Sequence, residues 1–87
     1  MHTDEYEISL SRELAVCKSA IRKIKEFFAI MERKHNKTTA QFIEEYDSGK
    51  LTDGRDDYEP WRNNYESLKR WKDLQRQYEE AFRMMKI

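Results

Sequence analysis

The sequence predicts an all-α fold: an antiparallel helical hairpin of two long helices with a short connecting helix, which pairs with a second copy into a four-helix-type dimer. Three observations lead to this prediction. Apolar residues recur at spacings of four and three along residues 10–31, which is typical of a helix that packs against another helix. A similar repeat runs along residues 61–85. A composition with 39% charged residues, two Gly and one Pro favours long helices with solvated outer faces.

The first helix is predicted over residues 9–35. Its apolar seam consists of Leu10, Leu14, Cys17, Ile21, Ile24, Phe28 and Met31. A start near Ser9 or Ser11 places hydroxyl groups where unpaired backbone N–H groups gather, and a start at Thr3 or Asp4 fits equally well. Asn36 is a natural stop, because asparagine tolerates the left-handed conformation that ends many helices.

A short second helix is predicted over residues 39–47. Thr38 and Gln41 have the spacing of a capping box at its start. Its apolar face carries Phe42, Ile43 and Tyr46. Gly49 ends the helix, and a loop over residues 48–56 follows. In that loop Leu51 is the apolar residue that we expect to pack on the core.

The third helix is predicted over residues 57–85. The carboxylates of Asp56 and Asp57 suit its N-terminus, and Pro60 is tolerated in the first turn. Its seam consists of Trp61, Asn64, Leu68, Trp71, Gln75, Tyr78, Phe82 and Met85. Laid antiparallel, the two seams place small residues of the first helix opposite bulky residues of the third, for example Cys17 opposite Tyr78. Such pairing fills a core by interdigitation.

Length and charge limit the function classes. A chain of 87 residues forms one small domain, in which an elaborate active-site cleft is not expected. Seventeen basic residues balance seventeen acidic ones, so no overall field attracts nucleic acid or an anionic membrane. Locally, residues 18–37 contain seven basic and two acidic residues, whereas residues 38–60 contain two basic and seven acidic residues. No stretch is apolar enough for a membrane span or a signal peptide, and we expect a cytoplasmic protein.

The chemistry-bearing residues do not form a recognisable active site. Cys17 lies on the apolar seam, which favours a structural thiol over a nucleophile. His2, His35 and a single cysteine are too few for a closed zinc site. The acidic residues 53–59 lack the EF-hand spacing, so helix capping is favoured over cation binding. We therefore predict a non-enzymatic protein with no catalytic residue, no metal site and no cofactor.

Two alternatives stay open at this point. A nucleic-acid-binding hairpin requires a set of basic residues to converge on one surface: Arg22, Lys25, Lys69, Arg70, Lys72 and Arg76. Interleaved acidic residues weaken this alternative, and solvated helix faces explain the same pattern. A more remote alternative is a small cation-dependent enzyme that uses the acidic residues from Asp53 to Glu59.

Apolar residues outside the seams indicate protein contacts. Val16 and Ile30 lie on the flank of the first helix, and we predict that they mediate self-association. Contacts with a partner protein are predicted at the short helix and the acidic loop, through Phe42, Tyr46, Asp53, Asp56, Asp57, Tyr58 and Trp61. Burial of the aromatic residues against the partner, with electrostatic steering by the carboxylates, is the predicted mechanism.

The stretch from Phe42 to Leu51, followed by Asp53, the acidic run at residues 56–59 and Trp61, resembles small helical antitoxin-like proteins of prokaryotes. The similarity covers roughly residues 24–80, and Pro60 departs from the pattern. The resemblance implies a protein that binds and blocks a partner toxin, and it carries no catalytic residue to this chain. An acidic loop suits a basic, nucleic-acid-cleaving partner.

Overall fold

The computed structural model describes residues 2–85, without the side chains of residues 2–4 and 6. It consists of three helices, α1 over His2–His35, α2 over Thr39–Asp47 and α3 over Tyr58–Met85. The two long helices pack closely along their lengths, and α2 packs at the end where α1 stops and α3 begins. The prediction of an all-helical hairpin is confirmed for the described residues.

Helix α1 begins at His2, before the predicted range of residues 9–35 and next to the alternative start at Thr3 or Asp4. Residues 2–8 contain neither Gly nor Pro, and their acidic side chains suit the N-terminal end of the helix dipole. Among the side chains that the structure describes, the first buried one is Leu10, and Glu5, Ile8 and Ser9 before it are exposed. At the other end Asn36 adopts a positive φ of 55°, and the Lys37 N–H donates to the Glu32 carbonyl at 3.3 Å. This is the predicted stop.

Local capping chemistry sets both ends of α2. The Thr38 hydroxyl accepts from the Gln41 N–H at 3.1 Å, and the Gln41 side chain accepts from the Thr38 N–H at 2.9 Å. The predicted capping box is therefore confirmed. Gly49 has φ of 77°, a conformation that favours glycine. The Lys50 N–H reaches back to the Glu45 carbonyl at 2.9 Å, which closes the helix end.

The core is densest where all three helices meet. Along α1 the predicted seam residue Leu14 is only half-buried, whereas the others are buried, as predicted: Leu10, Cys17, Ile21, Ile24, Phe28 and Met31. The last three of these form one cluster with Phe42, Tyr58 and Trp61, and the half-buried Leu51 packs against it. Along α3, by contrast, every seam residue from Asn64 to Met85 is only half-buried.

Neighbours across the hairpin agree with the predicted antiparallel register. Near the connecting helix, His35 of α1 stacks on Trp61 of α3. Farther along, Ile21 of α1 and Gln75 of α3 line the same groove. The molecule is accordingly elongated, with extents of 58 × 21 × 16 Å.

Candidate interaction surfaces

A stack of aromatic rings holds α2 between the two long helices. The rings of Phe42 and Trp61 lie parallel within 3°, with centroids 4.0 Å apart. The Tyr58 ring meets Phe42 at 5.5 Å. The Trp61 Nε1–H donates to the Thr39 hydroxyl at 3.1 Å, so the one polar group of the buried indole is satisfied.

This stack requires a correction to the predicted partner-binding residues. Phe42 and Trp61 have no exposed surface, and Tyr58 is 8% exposed. The chain itself buries these three side chains in its core, so Phe42 and Trp61 offer a partner no surface and Tyr58 offers only an edge while the fold is intact. The remaining predicted contact residues, Tyr46 and the acidic residues of the loop, retain exposed surface.

His35 has a structural role that its sequence position does not reveal. Its side chain is 6% exposed and its Nε2 lies 3.0 Å from Asp57 Oδ2. Lys34 Nζ donates to the same oxygen at 2.7 Å. Hydrogen bonds from Lys34 and then His35 lower the pKa of Asp57. Asp57 therefore ties the end of α1 to the start of α3.

The role of Asp57 differs from the prediction that its carboxylate caps α3. The helix does begin next to it, since the Asp57 carbonyl accepts the Trp61 N–H at 3.0 Å. The side chain, however, bonds to α1 across the fold. Two cationic or N–H donors on a neighbouring helix hold a carboxylate more firmly than solvent-exposed backbone N–H groups do.

Asp53 is also occupied by contacts within the chain. Its Oδ2 accepts from the Tyr58 hydroxyl at 3.1 Å and from Arg55 Nε at 3.2 Å. Burial opposes ionisation of Asp53, but the hydrogen bonds from Tyr58 and Arg55 outweigh it, and the pKa of Asp53 is lowered. Burial, reinforced by the bond to Asp53, raises the pKa of Tyr58. These bonds fix the turn that leads into α3.

Arg62 links α2 to α3, and nothing in the sequence analysis singled it out. Its guanidinium donates to Asp47 at 2.9 Å and to Glu66 at 2.6 Å. Hydrogen bonds to Glu66 and Asp47 raise the pKa of Arg62, and the bond from Arg62 lowers the pKa of Glu66. The four-residue spacing of Arg62 and Glu66 predicts an ion pair within one helix. The contact of Arg62 with Asp47 cannot be predicted in this way, because it depends on how α2 packs against α3.

A groove of 580 Å³ lies beside this junction. It is lined by the end of α2, the connector and the first turn of α3, including Tyr46, Asp56 and Glu59. Tyr46 is 36% exposed, and its ring contacts Phe42 at 5.4 Å. Three residues of the predicted partner-binding set, Tyr46, Asp56 and Tyr58, thus line the same groove. Glu59 joins them there; the sequence placed it in the acidic run but not in the partner-binding set.

A second candidate surface lies on the other side of α1. Val16 is 51% exposed and Ile30 is 56% exposed, in agreement with the prediction that they lie outside the hairpin core. Glu32 marks the side of α1 that faces α2, because its carboxylate accepts the Thr39 N–H at 2.8 Å. Ile30 precedes Glu32 by two residues, a rotation of about 200°. Val16 and Ile30 therefore lie on the side of α1 away from α2.

Cys17 is a core residue with 1% of its surface exposed. Burial, and then the nearby charge of Glu13, raises the pKa of its thiol. A protonated thiol inside an apolar seam is a packing element, because only the thiolate is an effective nucleophile or metal ligand.

Among the basic residues of the nucleic-acid alternative, Arg70 lies apart from Arg22 and Lys25. Arg22 and Lys25 line one groove of α1, whereas Arg70 lines a different groove beside Trp71. Three of the six pair with acidic neighbours on their own helices: Arg22 with Glu26, Lys69 with Glu66, and Arg76 with Asp73. Such exposed intrahelical pairs are the pattern of solvated helix faces.

Neither a group of metal ligands nor a membrane-spanning helix is found within residues 2–85. In that part of the chain, no three His, Cys, Asp or Glu side chains are grouped so that they could hold a metal ion. The side chain of His2 lies outside the described residues. None of the described helices combines the length and the apolarity that crossing a bilayer requires.

Comparison of the chain with models of protein families, with curated proteins and with solved structures finds no match in any of the three.

Proposed function

We propose that this protein is a non-enzymatic protein–protein interaction module that self-associates through the side of the hairpin away from α2. The observation that carries the proposal is the incomplete burial of the α3 seam. From Asn64 to Met85 each seam residue of α3 retains exposed surface, although the opposing seam of α1 is largely buried. A second layer of helices would cover what the hairpin leaves open.

The surface area of the chain supports a dimer. The chain exposes 6625 Å², whereas a compact monomer of 10.7 kDa exposes about 5,500 Å². The excess is about 1,100 Å², and a standard protein interface buries about 800 Å² on each partner. The excess surface is therefore of the size that one interface needs.

The exposed apolar side chains support the choice of side. Val16 and Ile30 are fourteen residues apart, so they lie on one stripe of α1, and the half-buried Phe27 lies between them in the same stripe. On α3, the half-buried Leu74 lines a shallow groove together with Arg70 and Trp71, and its exposed part can contact a second copy. These apolar side chains, with the exposed Lys23 midway between Val16 and Ile30, form the stripe that we expect to pack against its symmetry copy in a four-helix arrangement.

Regulation of a partner protein is the concrete form of the function that we propose, in line with the resemblance to antitoxin components. Self-association through the Val16 and Ile30 side leaves the α2 side, with the acidic loop, available to that partner. The dimer then presents two copies of the same partner-binding surface.

Light scattering tests the self-association. We expect wild-type protein to have twice the mass of 10.7 kDa and the Val16→Glu, Ile30→Glu double variant to be a folded monomer. Two carboxylates in an apolar interface must lose their hydration when the copies associate, and this cost prevents association. A matched control adds the same two charges to exposed positions of α2 and the connector, as Ala40→Glu with Thr52→Glu, and should remain a dimer.

Two outcomes would overturn the proposal. One is a wild-type monomer over the whole accessible concentration range. The other is loss of the dimer in the control variant as well, because the effect would then come from added charge and not from its position on the chain. Circular dichroism of each variant checks that the helices are intact.

A further inference from the structure

The groove between α2, the connector and α3 has an aromatic wall and an acidic rim. Tyr46, Leu51 and Pro60 contribute apolar or aromatic surface, and the edge of Tyr58 adds to it. Asp56 and Glu59 contribute carboxylates. Its volume of 580 Å³ lies within the range of roughly 300–1,000 Å³ that is usual for ligand pockets.

The carboxylates of this region differ in whether the chain neutralises them. Asp47, Asp53 and Asp57 each form an ion pair, with Arg62, Arg55 and Lys34 respectively. Among residues 2–85 no cationic side chain pairs with Asp56 or Glu59. Arg55 also lines the groove, but its charge is matched by Asp53. The groove therefore has two carboxylates whose charge is available to a ligand.

We propose that this groove binds an arginine side chain presented by a basic segment of a partner protein. The planar guanidinium stacks on the exposed face of Tyr46 and donates hydrogen bonds to the carboxylates of Asp56 and Glu59. Arginine fits better than lysine, because it combines stacking on an aromatic ring with bidentate hydrogen bonding to a carboxylate. Contact of the Tyr46 ring with Phe42 at 5.4 Å holds the aromatic face in place before the ligand binds.

The site is independent of the self-association proposed above. The groove is built from α2, the connector and the start of α3, whereas Val16 and Ile30 lie on the side of α1 away from α2. The binding experiment can therefore be carried out on wild-type protein and on the Val16→Glu, Ile30→Glu variant. Equal affinities in the two show that the groove does not depend on the dimer.

The probe is the acetylated tripeptide amide Gly-Arg-Gly, with Gly-Lys-Gly, Gly-citrulline-Gly and Gly-Glu-Gly as comparisons. Binding is followed by backbone amide chemical shifts on titration. We expect shifts confined to the groove residues, with the arginine peptide bound most tightly, the lysine peptide more weakly, and the citrulline and glutamate peptides not bound. Citrulline keeps the shape of arginine without its charge, so this pair isolates the ion pairing.

Single substitutions locate the site. Asp56→Asn and Glu59→Gln should each weaken binding of the arginine peptide by roughly threefold to fivefold, the worth of an exposed ion pair. Tyr46→Ala should weaken it by roughly twofold to fivefold through loss of the cation–π contact, and Tyr46→Phe should restore it. The matched control is Glu44→Gln, which removes the same charge as Glu59→Gln from an exposed position of α2 outside the groove.

Three results would overturn the proposal: no shifts at the groove residues, equal weakening by Glu44→Gln and Glu59→Gln, or equal binding of the citrulline peptide. The second result would mean that the peptide responds to the overall charge of the acidic loop. Each variant is stable enough for the comparison if its amide spectrum is unchanged outside the groove, since all the substituted side chains except Tyr46 are exposed and unpaired.

Discussion

The apolar seam is buried to different extents at the two ends of the hairpin. At the end near α2, the side chains of three helices meet, and Phe42 and Trp61 are fully buried. At the far end only α1 and α3 meet, and residues of similar size, Phe82 and Tyr78, are half-buried. Both ends of α3 carry large aromatic side chains, so residue type alone does not explain the difference, which lies in the number of helices around them.

The comparison shows how much a nine-residue helix contributes to a small fold. A pair of helices has one line of contact, and bulky side chains beside that line stay partly in water. Helix α2 is a third helix at this end, and its Phe42 covers Tyr58 and Trp61 at the start of α3. The far end has no such cover within residues 2–85, and this is the surface on which we base the proposal of self-association.

The largest expected effect comes from deleting the same side chain at each end. Phe42→Ala should destabilise the protein by about 3–5 kcal/mol, because it opens a cavity in a fully buried cluster. Phe82→Ala should cost about 1–2 kcal/mol, since a half-buried ring loses less apolar burial. Urea denaturation at one fixed protein concentration measures both.

Equal costs at the two ends would contradict the distinction between a closed and an open end. If Phe42→Ala is too unstable to measure, Phe42→Leu and Phe82→Leu give the same comparison at smaller amplitude. A cost of Phe82→Ala that rises with protein concentration would show that the open end is covered by a second copy.

A smaller loss of stability is expected when the hydrogen bond between the Trp61 indole and the Thr39 hydroxyl is removed. Thr39→Val keeps the shape of the side chain but removes the acceptor of the Trp61 Nε1–H, which is then buried without a partner. The expected cost is about 1–3 kcal/mol. The control, Thr52→Val, changes an exposed connector residue and should cost less than about 0.5 kcal/mol. Similar costs for the two variants would mean that the indole N–H finds another acceptor.

The smallest effect concerns pH. Folding lowers the pKa of Asp57, so its contribution to stability is present above the pKa of about 3.9 in the unfolded chain and is lost as the pH falls through the lower folded value. Asp57→Asn should therefore be less stable than wild type at neutral pH and should lose less stability on acidification below about pH 4. Thermal unfolding across this range is the measurement.

Asp73→Asn is the matched control for this pH dependence. It removes a carboxylate at the open end, where the partner of Asp73 is Arg76 of the same helix. If Asp73→Asn reduced the loss of stability in acid as much as Asp57→Asn, the tie between α1 and α3 would not be the cause.

The helix ends and the α1 seam could be predicted from the sequence because they depend on neighbours in the chain. The capping box at Thr38 and Gln41, the left-handed Asn36 and the turn at Gly49 each involve residues within a few positions of one another. The burial of the α1 seam follows from its period, since every third or fourth residue falls on one face. The sequence leaves the start of α1 open between Ser9 or Ser11 and Thr3 or Asp4; the helix begins at His2, next to the earlier pair, because residues 2–8 contain no helix-breaking residue.

Contacts between distant residues were decided only by the tertiary structure. His35 and Asp57 are 22 residues apart, as are Thr39 and Trp61, and neither pair has a local signal in the sequence. The position of α2 determines which side of the hairpin is closed. Because of this position, Phe42, Tyr58 and Trp61 are core residues. Their residue types alone would fit burial against a partner protein equally well.

The sequence by itself thus determined the helices, their boundaries at the caps and the seam that joins them, because these follow from local hydrogen bonding and helical period. The tertiary structure alone decided which apolar and acidic side chains remain available. Burial and charge pairing depend on which elements pack around a residue, and the position of α2 leaves Val16 and Ile30 exposed on one side and Asp56 and Glu59 unpaired on the other.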